Sequence, residues 1–146
     1  RLHQWTMGLL LTKEPAALPQ VLLDDLRERF MIPQATLRLW GVAEAFATLP
    51  AAQPVSDDVK AFASSLSLPY CGANVGFEAA EWLDDAATVK SMAMVPLRPA
   101  DSHQAFGLLV LGSPDPTRYA AQMGTEFLSR IGEVAAACLA RLLAKD

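Results

Sequence analysis

Apolar residues recur along this chain with different periods, and those periods mark out its elements. Leu2, Trp5 and Leu9 stand at helical spacing, with Met7, Leu10 and Leu11 widening their stripe. That pattern predicts a helix over residues 1–12. Because the chain opens on Arg1 and not on methionine, we read it as the end of a longer upstream helix. Lys13-Glu14-Pro15 breaks it and starts the next, since proline is tolerated in a first helical turn. Leu18, Leu22, Leu26 and Phe30 then repeat every four residues, the mark of an amphipathic helix, and Pro33 ends it.

From Ala35 to Trp40 the period drops to two. Leu37 and Leu39 alternate with Thr36, Arg38 and Trp40, as in a strand covered on one side. Residues 42–49 are rich in alanine, which favours helix, while Val42, Glu44, Phe46 and Thr48 fit one face of a strand; we read a second strand. Ser56 is a suitable N-cap for a short helix with Val59, Phe62, Ala63 and Leu66 on its apolar side. A turn-rich loop over 68–76 and two helical turns over 77–83 follow, closed by Asp84 and Asp85.

Residues 89–97 and 105–112 are apolar on both faces, which predicts two central strands; the polar turn 98–104 joins them as an antiparallel hairpin. Asp115-Pro116 has the form of an N-cap followed by proline at a first helical position. After Gly124, with Thr125 as N-cap, one long helix is expected to about Ala144. Its stripe is Phe127, Ile131, Val134 and Cys138, broadened by Leu128, Ala135, Leu139 and Leu142. Antiparallel strands with helices segregated to the two chain ends make a single α+β domain over 1–146.

Composition narrows the function classes. Hydrophobic residues make up 52% of the 146, so a well-filled core or a leftover apolar face is expected. The formal net charge of −4, without a basic stripe, argues against nucleic acid as a partner. No apolar run reaches the roughly 18 residues of a membrane span. The two cysteines, Cys71 and Cys138, show no metal-ligand spacing, and His3 and His103 have no acidic or thiol partners placed for a metal. Two free thiols fit a reducing cytoplasm, with a 71–138 disulfide as the alternative. No phosphate loop, paired catalytic acids or Ser/His/Asp set stands in the chain, so no catalytic residue and no cofactor is assigned.

The order of elements resembles that of a GAF domain, a relative of PAS domains found in bacterial sensors. Residues 107–119 (GLLVLGSPDPTRY) and 123–133 (MGTEFLSRIGE), with Tyr70-Cys71-Gly72 and the strand from Ser91 to Leu97, are similar to the pattern of a bacterial family of unknown function, number 484. The resemblance implies a GAF-like fold: terminal helices on one face of a central antiparallel sheet, short helices and loops capping a pocket on the other. It implies no established activity.

Within such a frame the ligand candidates are Tyr70, Cys71, Phe77, Trp82, Ser91, Met92, Met94 and Arg38. Aromatic walls, adaptable methionines and small strand residues suit a small-molecule site, and ordinary core packing accounts for the same residues. Cys71 also has a nucleophilic reading, because some GAF-fold proteins reduce free methionine sulfoxide with loop cysteines. Arg118 reads as a structural arginine tied to Asp115 or to carbonyls of the last strand. Leu2, Trp5 and Leu9 at one end, with Phe127, Ile131, Val134 and Cys138 at the other, are the candidates for a homodimer interface. The expectation is a non-enzymatic sensory or scaffolding domain, with a Cys71-dependent reductase and a ligand-free protein–protein adaptor as alternatives.

Overall fold

The leucine repeat at 18, 22 and 26 is realised as helix α2 (Leu18–Phe30), with all three side chains fully buried. It lies beside α1 (Leu2–Leu11), from which Trp5 and Leu9 enter the same core. The Trp5 indole N–H donates to the Leu22 carbonyl at 3.2 Å, satisfying the one polar atom this ring buries. This computed structural model describes residues 1–120 and 125–145. Helix α2 ends on Met31 in the left-handed conformation. Arg118, expected on Asp115 or on strand carbonyls, instead donates to the Phe30 and Met31 carbonyls at 3.0 and 2.9 Å, closing that helix end.

Four strands form one antiparallel sheet in the order β1-β4-β3-β2: β1 (Gln34–Leu39), β2 (Tyr70–Ala73), β3 (Ser91–Leu97) and β4 (Gly107–Ser113). The expected hairpin is β3–β4, at the sheet's centre. Alternation along each strand separates two cores. Leu37, Leu39, Ala93, Val95, Leu109 and Leu111 face α1, α2 and α4 (Glu126–Leu139). Met92, Met94, Leu108 and Val110 face α3 (Asp57–Ser65) and the 3₁₀ turn Glu78–Trp82. Ser56 caps α3 as expected, its Oγ accepting from the Val59 N–H at 3.2 Å.

Several expectations need correction. Residues 42–49 do not form a strand: they hold a 3₁₀ turn at Glu44–Phe46, followed by another at Pro50–Ala52. The backbone there is engaged by the C-terminal segment instead. Val42 bridges Leu143, the Ala43 N–H donates to Leu142, and the Ala144 N–H donates to Gly41. The same contacts explain why α4 stops at Leu139 and not at Ala144. The chain must tighten into a 3₁₀ turn (Ala140–Leu142) and extend to reach residues 41–43. The supposed loop 68–76 contains edge strand β2, and Glu78–Trp82 is 3₁₀ and not two α-helical turns.

Asp115-Pro116 opens a turn, not a helix. The Asp115 carboxylate accepts from the Thr117 N–H at 2.9 Å and its hydroxyl at 2.8 Å, so the acid spends its capping capacity locally. Thr125 precedes α4 without a side-chain capping bond, and Gly124 lies outside the described residues. Among the described residues no helix is long and apolar enough to cross a membrane.

Candidate functional site

Alternation in β1 sends Leu37 and Leu39 into the helix-side core and leaves Arg38 on the opposite face. With no second strand beside it, β1 is an edge. A groove of about 730 Å³ runs along that edge, bounded by α2 through Pro19 and Leu23 and by the residues around Pro50 and Trp82. Arg38 reaches into it half-buried. Its guanidinium lies 5.0 Å from the centre of the Trp82 ring, and Nη1 donates to the Pro54 carbonyl at 3.4 Å. Burial lowers its pKa from the ordinary guanidinium value, and the group stays charged at neutral pH. No carboxylate pairs with it among the described residues.

The far wall of the groove is held in place by Gln34. Its Nε2 donates to the Asp85 carbonyl at 3.0 Å and its Oε1 accepts from the Asp85 N–H at 3.0 Å. The carboxylates of Asp84 and Asp85 stay exposed at the rim. The arrangement offers one half-buried cation inside, an exposed one, Arg27, on the α2 wall, and negative charge at one end, which suits an anionic group set against Arg38. Among the described residues, no three His, Cys, Asp or Glu side chains stand close enough together to hold a metal ion.

The eight ligand candidates do not share one site. Only Arg38 and Trp82 line the groove. Met92 and Met94 are fully buried in the cap-side core with Val59, Ala63, Ala79, Ala80 and Leu83, so side chains occupy the space expected for a pocket there. Tyr70 and Phe77 form its outer layer, edge to face at 4.9 Å, and Phe77 lies 5.7 Å from Phe62.

Cys71 and Ser91 point to the other face altogether. Cys71 sits opposite Ala93 in the helix-side core, where burial pushes its thiol pKa up, against the thiolate a nucleophile needs. The Ser91 hydroxyl donates to the Asp115 carbonyl at 2.6 Å and accepts from the Tyr119 N–H at 3.3 Å, a structural clasp on the chain leaving β4.

The interface candidates divide likewise. Trp5, Leu9, Ile131 and Cys138 are buried in the chain's own core and have no surface to offer, and Leu2 and Val134 are half-buried. Phe127 stays partly exposed, its ring 5.0 Å from Phe30. The apolar side chains left open on α1 are Met7, Leu10 and Leu11, which sequence reasoning counted only as widening the stripe. The groove was missed because a second strand was expected at 42–49, where the structure has 3₁₀ turns instead.

Residues 12–144 match the family model described as a protein of unknown function, DUF484. No curated protein matches the chain. Among solved structures, the chain resembles the GAF domain of the phosphoenolpyruvate-protein phosphotransferase from Acinetobacter. The TM-score is 0.64 at 11% identity, over 96% of this chain and 90% of that one. Free methionine-R-sulfoxide reductase from Neisseria meningitidis, solved with its substrate, gives 0.60 at 13% identity over 95% and 86%. The GAF domain of the potassium sensor histidine kinase KdpD from Escherichia coli gives 0.52 at 16% over 97% and 92%. At such identities the likeness establishes the fold alone, which is α+β and GAF-like.

Proposed function

The chain belongs to the family of unknown function DUF484, and from that premise we propose that it is a non-enzymatic sensory or scaffolding domain. Its ligand, a small molecule carrying an anionic group, is taken in the groove at the β1 edge. The observation that carries this reading is Arg38, a half-buried guanidinium with no carboxylate partner among the described residues. A cation already partly desolvated gains from an arriving anion more than a fully hydrated one does. The groove also falls within the roughly 300–1,000 Å³ of small-molecule sites. Dimerisation uses the end helices through Met7, Leu10, Leu11 and Phe127, and the two buried thiols suit a cytoplasmic setting.

A thermal-shift series with nucleotides, amino acids and tetrapyrrole precursors tests the binding half of the reading. Stabilisation that is lost in Arg38→Ala supports the groove, and stabilisation that survives the substitution places the ligand elsewhere. Light scattering on the purified chain tests the dimer, and a monomer at micromolar concentration ends that half.

A ligand-free adaptor is the second reading. The filled cap-side core around Met92 and Met94 favours it, because an adaptor needs no cavity there. The reductase reading is weakened by the burial of Cys71. Turnover of free methionine sulfoxide that disappears in Cys71→Ser would restore it.

A further inference from the structure

The charges around the groove are sorted along its length. Leu37 and Leu39 are 1% and 2% exposed, so the β1 backbone is covered and recognition falls to side chains. Gln34, Thr36 and Arg38 alternate with those leucines and share the groove face of β1. Arg38 stands at one end, against the Trp82 ring and beside the Pro54 carbonyl, half-buried and without a carboxylate among the described residues. Gln34 stands at the other, and its bonds to the Asp85 backbone bring the exposed residues Asp84 and Asp85 there. Arg27 reaches the same end, its Nη2 donating to the Pro33 carbonyl at 2.7 Å. It is exposed and has Asp24 one turn away on α2, so this end sets three carboxylates against one guanidinium. From residue 34 to residue 38 the strand rises about 13 Å.

From this we infer that the groove takes a short peptide with both ends free, held by those ends: its C-terminal carboxylate on Arg38, its N-terminal ammonium at Asp84 and Asp85. The inference rests on the reading of the groove as the binding site and names what fills it. An extended chain covers about 13 Å in about four residues, so a tetrapeptide reaches both ends. A free α-amino acid carries its two charges on one carbon and cannot. A nucleotide or a dicarboxylate would bring a second negative charge up to Asp84 and Asp85. The two ends contribute unequally. Arg38 is partly withdrawn from water, where a carboxylate pairs with it more strongly, while the exposed aspartates act through solvent. Thr36 lines the groove between the two ends, and its hydroxyl is a partner for a peptide group that an alkyl chain would leave unused.

A ladder from alanine to hexaalanine, titrated calorimetrically into the full chain at low salt, is the test. Affinity is expected to rise up to about four residues and to gain nothing beyond. Amidation of the tetrapeptide's C-terminus is expected to weaken binding about tenfold or more, and N-acetylation about two- to fivefold, as for an exposed ion pair. In Arg38→Ala the free acid and the amide should bind alike. In the double variant Asp84→Asn with Asp85→Asn, the free and the acetylated peptides should bind alike. Gln34 holds Asp85 by its backbone, so these substitutions leave the wall in place. An ω-amino acid of the same span, without amides, is expected to bind more weakly, and equal binding would overturn the peptide in favour of an alkyl zwitterion. The inference also falls if no oligoalanine binds, or if acetylation and the aspartate substitutions change nothing. If the ladder is empty while N-acetylalanine, a plain anion, stabilises the wild type but not Arg38→Ala, the groove reading stands and the peptide falls. If neither binds in a way that depends on Arg38, both fall.

Discussion

Arg98 reaches from the end of β3 to Leu66, its Nη2 donating to the Leu66 carbonyl at 2.6 Å. The same nitrogen lies 2.9 Å from the Ser64 carbonyl and 3.3 Å from that of Ala63, while Nε donates to His103 at 2.8 Å. One guanidinium thereby closes the C-terminal end of α3 and the turn of the central hairpin together. Carbonyls at a helix end lack intrahelical donors, and a cation there also meets the negative end of the helix dipole.

Arg98→Ala leaves these carbonyls to water and is expected to cost about 1.5–3 kcal/mol, the range for hydrogen bonds to a charged group. Arg98→Lys is expected to recover less than half of that, because an ammonium cannot present two nitrogens in a fixed plane. Urea unfolding of the three proteins measures both. Equal stability of wild type and Arg98→Ala would remove this arginine from the fold's supports.

Gly132 sets how closely α4 approaches the sheet. A Cβ built there would fall 2.7 Å from Cγ1 of Val95, well inside contact distance. Gly132→Ala gains about 0.5–1 kcal/mol of helix propensity but overpacks the core by about 1–3 kcal/mol, so a net loss is expected. Val95→Ala vacates the contested space. The penalty of Gly132→Ala should shrink or reverse in that background, and a double-mutant cycle reads the coupling. Additive effects would mean that the helix simply moves out.

What the sequence discloses depends on whether one residue's neighbours along the chain decide its environment. The stripes of α1 and α2 and the alternation of β1 are local periodicities, and they place Leu22 and Leu37 correctly in the core, whereas the α4 stripe does not tell core from interface, and Ile131, a candidate for the interface, is fully buried. Residues 42–49 fail because their fate is decided a hundred residues away, where Leu142 and Leu143 take up the backbone of Val42 and Ala43. Cys71 fails for another reason. In a loop its thiol has no assigned face, whereas as the second residue of β2 it must point opposite to Tyr70 and into the helix-side core. Gly72 disguised that strand. It is there because the Tyr70 hydroxyl folds over it to donate to Ala73, 2.6 Å from where a Cβ would stand. Arg38 was legible as the polar side of an alternating strand. That it lines a groove beside an edge strand required knowing which strand β1 lacks.

The two kinds of apolar residue on α1 separate cleanly by experiment. Trp5 is fully buried and hydrogen-bonded to Leu22, so Trp5→Ala should cost about 3–5 kcal/mol. Leu10 and Leu11 are 65% and 72% exposed, and their alanine variants should stay within about 0.5 kcal/mol of wild type for the monomer. If the chain dimerises through this helix, the same two variants lower the association constant while leaving the stability of the dissociated chain alone. Destabilisation of the monomer by Leu10→Ala would show that this surface is packed within one chain.

Alkaline pH should loosen the protein through groups that the helix-side core keeps neutral. Burial pushes the pKa values of Cys71, Cys138 and Tyr119 up. In the unfolded chain the thiols ionise near about 8.5 and the phenol near about 10, earlier than in the folded state. A folded-state pKa above the unfolded one means that the stability is fully present below the unfolded value and is lost as pH rises through the folded one. Unfolding free energy measured in urea should therefore be flat with respect to these groups at neutral pH and decline from about pH 8.5 upward. Tyr119→Phe with both cysteines changed to alanine should flatten that limb, at the cost of lost packing. The same burial predicts that both thiols react with a disulfide reagent slowly in the native protein and at once in denaturant. Rapid native labelling of Cys71 would contradict its place against Ala93, and a triple variant as steep in alkali as the wild type would contradict the assignment of the limb.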